Sequence, residues 1–144
     1  MTKKFISKSV KDTHKHAANL AEKLKKNSKR PSLVVLVGEL GVGKSEWARG
    51  FIQKYISKET IVNSPTFSVI NPYSKGRRKL FHVDLYRLSG PDDLESVGFW
   101  DLLIDNNVVV VEWGDRLPEI RRSKIEIIKF KFECDSKGIR QILS

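Results

Sequence analysis

The chain has 144 residues, with 27 Lys and Arg against 17 Asp and Glu, a formal net charge of +10 and a pI near 9.8. This length suits one domain over 1–144, and an apolar share of 40% can build a core, which excludes a wholly disordered basic tail. The longest apolar run, Leu33 to Val37, is far short of the ~20 residues that span a bilayer. The basic start lacks the apolar stretch of a secretory leader, and a lone Cys134 allows no intrachain disulfide, so a cytoplasmic protein without a membrane partner is expected.

The charge is unevenly spread. Residues 1–30 hold ten Lys and Arg against two acids, whereas residues 89–120 hold one Arg against eight acids. A basic end of this kind attracts phosphate-rich partners over about a Debye length, which is one reading of it and names no partner. A lysine-rich solvated helix face is the other.

In chain order, Phe5 to Ser7 reads as a short strand, and Ser9 with Asp12 opens a helix. Thr13, Ala17, Leu20, Ala21 and Leu24 give that helix one apolar face, and it ends near Asn27-Ser28, ahead of Pro31. Leu33 to Val37 suits a strand buried on both faces. Trp47, Ala48, Phe51, Ile52, Tyr55 and Ile56 recur at helical period. Thr66 to Tyr73 and Leu80 to Tyr86 read as a hairpin around the loop Ser74 to Lys79. Gly90 to about Ile104 is helical with a break at Gly98, and Val108 to Val111 is a second buried strand. Ile125 to Phe132 alternates with a slip at Ile127-Ile128, as at a bulge. Asp135 to Gly138 then turns into a last strand, Ile139 to Leu143. The expected class is α/β, a compact sheet of the kind that carries a phosphate-binding loop, mostly parallel with an antiparallel portion and flanked by helices.

The sharpest motif is Gly38-Glu39-Leu40-Gly41-Val42-Gly43-Lys44-Ser45, which fits G-x-x-x-x-G-K-[ST] between a buried strand and an amphipathic helix. Glycines let successive N–H groups curl around an anion, and the helix N-terminus adds to the field. Gly38, Leu40, Gly41, Val42, Gly43, Lys44 and Ser45 are therefore the expected nucleotide-binding set. Lys44 reaches the terminal phosphates and the Ser45 hydroxyl binds Mg²⁺. Gly43 reads as the position least tolerant of a side chain, and Glu39 as pointing away.

Two acids end strands beside this loop. Glu112 has the cleaner apolar lead-in and is expected in the magnesium shell, with Asp84 positioning the attacking water. His82, two residues before Asp84, reads as a packed, hydrogen-bonded histidine. His14 and His16 read as surface residues, and Trp113 as either a shield or packing.

Taken together, GELGVGKS (38–45), ARGF (48–51), NSPTF (63–67), NPY (71–73), HVDLYRL (82–88) and VEWGDRLPE (111–119) resemble the TsaE (YjeE-type) family of bacterial ATPases needed for threonylcarbamoyladenosine in tRNA. The resemblance implies a P-loop fold, Mg-ATP binding with slow hydrolysis, and partnership with TsaB and TsaD, and it makes tRNA or a protein partner the candidates for contact with the basic N-terminal region. It also implies magnesium at Ser45 and Glu112, hydrolysis dependent on Asp84, a γ-phosphate-sensing loop at Ser64-Pro65-Thr66, and Thr13 close to the base. Gly138 and Arg140 are split by Ile139, unlike the family's adjacent pair, so Arg140 is assigned no contact. A small-molecule or nucleoside kinase, with a lid from Arg77-Arg78 or Arg121-Arg122, and a nucleic-acid-binding module are the competing readings.

Overall fold

The structure is a computed structural model that describes residues 3–27, 29–39, 41–120 and 124–144. Seven strands form one sheet in the order β1-β7-β6-β2-β5-β4-β3. They are β1 (Lys4–Ser7), β2 (Ser32–Val37), β3 (Ile70–Lys75), β4 (Arg78–Asp84), β5 (Val108–Glu112), β6 (Glu126–Cys134) and β7 (Arg140–Leu143). The central four, β6, β2, β5 and β4, run parallel, and β1, β7 and β3 are antiparallel at the edges.

Side-chain alternation sorts each central strand between two layers. Val34, Leu36, Leu80, Val108 and Val110 face α1 (Val10–Asn27) and α2 (Lys44–Tyr55). Leu33, Val35, Val83, Val109 and Val111 face a second layer built on Leu94 of α3 (Pro91–Ser96), Phe99 and the chain beyond. The basic N-terminal helix and the acidic helix α3, with Asp92, Asp93 and Glu95, therefore lie on opposite faces of the sheet.

Helix α1 starts where its side chains satisfy its first N–H groups. Ser9 Oγ accepts from Asp12 N at 3.1 Å, and Asp12 Oδ2 accepts from Lys8 N at 3.0 Å. Ala17, Ala21 and Leu24 then bury against α2 and the sheet. In α2, Trp47, Phe51 and Tyr55 stack at successive turns, with centroids 5.3 and 5.8 Å apart. Each such side chain stabilises the fold by about 1.5–3 kcal/mol through burial alone.

Several sequence expectations need correction. Thr66 to Ser68 is turn, and β3 begins only at Ile70, because Val69 N donates to Pro65 O at 2.7 Å and Val69 takes a positive φ of 68°. The connection between β3 and β4 is a two-residue turn, Gly76-Arg77, since Lys75 already pairs with Arg78. There is no bulge at Ile127-Ile128: β6 pairs with β2 without interruption from Glu126 to Lys131. Both faces are covered there, so Ile127 packs into one layer and Ile128 into the other.

His16 is half-buried rather than a surface residue. Its Nδ1 accepts from Trp47 Nε1 at 2.9 Å, and its ring lies 4.7 Å from Phe5 and 5.1 Å from Phe130. Burial pushes its pKa below the ordinary 6.5. A base with a depressed pKa binds fewer protons in the folded chain, so its contribution is complete above 6.5 and declines as pH falls below it. Protonation also removes the acceptor used by the Trp47 N–H. A His16→Gln variant should therefore show a smaller drop in melting temperature than wild type between neutral pH and about pH 5.5. An identical drop in both chains contradicts this.

Candidate functional site

The carboxyl ends of β2, β4 and β5 open on one edge of the sheet, where parallel α/β folds place their ligands. Register and alternation bring three side chains to the α2 side of that edge. Asp84 pairs with Glu112 across β4 and β5, and His82 lies two residues back on the same face. The loop between β2 and α2 covers them. Gly41, Gly43, Lys44, Ser45, Asp84 and Glu112 line a cavity of about 380 Å³, with Glu46, Thr66, Tyr86, Trp113 and Arg140 completing its wall.

Glu112 is 4% exposed and has both oxygens engaged. Oε1 accepts from Ser45 Oγ at 2.9 Å, and Oε2 pairs with His82 Nε2 at 2.6 Å. Burial pushes this carboxyl up, but the His82 bond and charge, Ser45 and Lys44 together outweigh burial and hold it below the ordinary carboxylate value. His82 is thus the packed, hydrogen-bonded histidine expected of it, and its partner is a site acid.

Asp84 is also buried. Its Oδ2 accepts from Thr66 Oγ1 at 3.1 Å and its Oδ1 from Tyr86 N at 2.8 Å. Thr66 in turn shares a 2.7 Å hydroxyl contact with Ser64. The turn that shortens β3 is what delivers Thr66 to Asp84.

Lys44 Nζ donates to the Gly38 carbonyl and lies 3.6 Å from the centre of the Trp113 ring. Burial lowers its pKa, while the charges of Glu112, Asp115 and Asp84 oppose that shift. Trp113 sits in the left-handed region at φ 61° and packs on Tyr86 with centroids 5.0 Å apart. It is therefore a wall of the cavity.

Other expected residues stand differently. Leu40 lies outside the described residues, as do Arg121 and Arg122. Val42 is buried in the core, and Gly38 contributes its carbonyl from behind the cavity. Thr13 does not line the cavity: it is fully buried and its hydroxyl meets Ser7 Oγ at 2.6 Å. Arg78 lies over the Tyr55 ring, away from the site.

Gly43 is not the least tolerant position of the loop. Both glycines hold a positive φ, 100° at Gly43 and 150° at Gly38, so a side chain strains the backbone at either. Contacts separate them: a Cβ at Gly43 would meet only the flexible Arg140 side chain at 3.0 Å, whereas at Gly38 it would meet the Phe132 carbonyl oxygen at 2.7 Å. Gly38→Ala should therefore lower the melting temperature more than Gly43→Ala. The reverse order contradicts the geometry.

Sequence reasoning set Arg140 aside, yet its side chain lies against Gly43 in the cavity wall. The signal is topological. β6 runs parallel to β2, so its end reaches the same edge, and the turn into β7 returns Arg140 to it.

The arrangement offers hard oxygen donors, a hydroxyl and a carboxylate, beside a cation at a glycine-rich loop. Mg²⁺ is held in nucleotide sites by one or two carboxylates plus substrate phosphates and waters, so this donor set fits it. Among the described residues, no group of three or more His, Cys, Asp or Glu side chains gathers to hold a metal unaided.

The family model described as "Threonylcarbamoyl adenosine biosynthesis protein TsaE" matches residues 7–142. The tRNA threonylcarbamoyladenosine biosynthesis protein TsaE of Rickettsia felis is 34% identical over 140 residues, covering 97% of this chain and 79% of its own. The protein of the same name from Bacillus subtilis is 32% identical over 113 residues, covering 78% and 70%. The crystal structure of Bacillus subtilis YdiB shares the fold, with a TM-score of 0.69 over 99% of this chain and 84% of that one at 23% identity.

Proposed function

This chain belongs to the TsaE family of threonylcarbamoyl adenosine biosynthesis proteins, and from that premise we propose that it is a Mg-dependent ATPase whose slow hydrolysis supports a TsaB–TsaD complex in modifying tRNA in the cytoplasm. The observation that carries the reading is the 2.9 Å bond from the Ser45 hydroxyl to Glu112, next to Lys44 in the phosphate loop. It pairs a loop hydroxyl with a strand-end acid, the two protein groups from which a nucleotide site builds its magnesium shell.

In this reading Lys44 and the N–H groups of the loop bind the phosphates, with Arg140 beside Gly43 as a further cation. Ser45 and Glu112 would hold Mg²⁺, which supplies charge neutralisation at the terminal phosphates when bound. His82 fixes the Glu112 oxygen that faces away from Ser45, leaving the other directed at the site. Asp84, oriented by Thr66 and the Tyr86 N–H, positions and polarises water for attack. Trp113 and Tyr86 screen that side of the cavity from solvent.

A kinase would use the same loop, but of its two lid candidates Arg77-Arg78 does not support it: neither residue lines the cavity, and Arg78 is placed on Tyr55. Product analysis separates the two. Free phosphate and ADP, with no phosphorylated small molecule or nucleoside, is the expected result, and transfer to an acceptor faster than to water overturns the reading.

A further inference from the structure

We propose that the lysine-studded outer face of α1, with the end of α2 beside it, is a docking surface for the phosphate backbone of RNA. The inference rests on the family's place in tRNA modification, and deepens it by assigning the contact to one face of this chain.

The face has three parts. Along one flank of α1, Lys11, Lys15, Lys54 and Lys58 line a groove of about 590 Å³ between the two helices. Along the other, Lys3, Lys4 and Lys23 line a hollow of about 470 Å³ at the edge of β1. The exposed ridge of α1 runs between them for about 27 Å at 1.5 Å per residue.

The charge on this face is largely unspent. Lys25 and Lys54 share Glu22 at 3.4 Å each. Lys11, Lys15, Lys23 and Lys58 are exposed and, among the described residues, form no ion pair with an acid. Such ammonium groups shed condensed counterions from a nucleic-acid backbone, which is the main source of sequence-independent affinity.

Three further observations favour RNA. The apolar stripe of α1 is already consumed by packing, with Ala17, Ala21 and Leu24 buried, so little is left to insert into a lipid surface. On the opposite face of the sheet lies α3, with Asp92, Asp93 and Glu95 around the Leu94 that packs there, so a polyanion is drawn to one side and repelled from the other. The phosphate cavity opens at the strand ends and shares none of its lining with the lysine face, so both can be engaged together.

The test is the salt dependence of binding between the full chain and a fluorescently labelled, unmodified tRNA transcript. Wild type is compared with a quadruple Lys11→Gln, Lys15→Gln, Lys23→Gln, Lys58→Gln variant. A control, Lys75→Gln, Lys79→Gln, Lys129→Gln, Lys137→Gln, removes the same charge from exposed positions elsewhere. The proposal predicts that the first variant binds at least about tenfold more weakly at low salt. Its log–log salt slope should be shallower by about 3, at ~0.7–0.9 for each phosphate that the chain no longer neutralises, and the control should stay near wild type. No saturable binding by wild type at low salt, or equal losses in both variants, overturns it. Tighter binding of poly-glutamate than of the transcript, with the same lysine dependence, overturns it in favour of an acidic protein partner. ATP hydrolysis is read in parallel: the first variant keeps it, and Lys44→Ala still binds the transcript, so failure of this inference and failure of the ATPase reading give different results.

Discussion

Replacing Lys44 with alanine should weaken Mg-ATP binding by at least about a hundredfold, or ~2.8 kcal/mol, while leaving the chain folded. Lys44 is 4% exposed and stands in the phosphate loop with its ammonium held between the Gly38 carbonyl and the Trp113 ring. A hydrogen bond to a charged group contributes about 1.5–3 kcal/mol, and a phosphate-binding ammonium makes more than one. The folding expectation follows from the same burial. Desolvation already disfavours the charged form, so truncation removes a buried cation whose acceptor, a backbone carbonyl, is neutral. Arginine is no conservative replacement here, since a planar fork does not fit the space of a point charge. Calorimetric titration checks the claim: a Lys44→Ala dissociation constant within a few-fold of wild type removes the phosphate-loop assignment.

The second large effect separates binding from turnover. Asp84→Asn should reduce hydrolysis by about 10²–10⁴-fold, the range for loss of a positioned acid–base group, and Glu112→Gln, which removes the carboxylate assigned to Mg²⁺, should also cost turnover more than nucleotide affinity. The two should differ in stability. Glu112 sits between Ser45 and His82, and its neutral replacement leaves the buried His82, whose Nδ1 already lacks a partner, without its carboxylate. Asp84 accepts only from neutral donors, the Thr66 hydroxyl and the Tyr86 N–H, and the asparagine amide keeps one oxygen to accept from them. Glu112→Gln should therefore melt at the lower temperature. The pH dependence has a definite sign. Because the Glu112 carboxyl is held below its ordinary value of 4.5, its stabilisation is present above pH 4.5 and is lost as pH falls through the folded value. Single-turnover phosphate release beside equilibrium binding decides the matter; turnover near wild type in both variants excludes these acids from the reaction.

Much of the site was legible because it is written in short, directional motifs. Leu33 to Val37 followed by the glycine-rich loop forced a strand, a tight loop and a helix in that order. The two-residue period then put His82 and Asp84 on one face, and the β4–β5 register adds Glu112 to it. What was not legible depends on contacts distant in sequence. Thr13 sits on the apolar face that the helical period predicts, and only the resemblance puts it near the base; in the fold β1 covers it with Ser7. His16 looks solvent-facing until Trp47 donates to it from α2. Arg140 reaches the cavity only because β6 is parallel to β2 and β7 folds back beside it. Ile127-Ile128 mimics a bulge because both faces of β6 are covered at that point, which one strand's pattern cannot reveal. The net charge was visible in the composition, but its division by the sheet into a lysine face and an acidic face was not.

On this reading the cavity between the glycine-rich loop and the ends of β4 and β5 binds Mg-ATP through the groups gathered there. Titration of ATP into the wild-type chain, once with Mg²⁺ and once with a chelator, tests it directly. One-to-one saturable binding that weakens at least about tenfold, or ~1.4 kcal/mol, without Mg²⁺ is the predicted result. Absence of saturable binding at millimolar ATP, or an affinity indifferent to Mg²⁺, would contradict it.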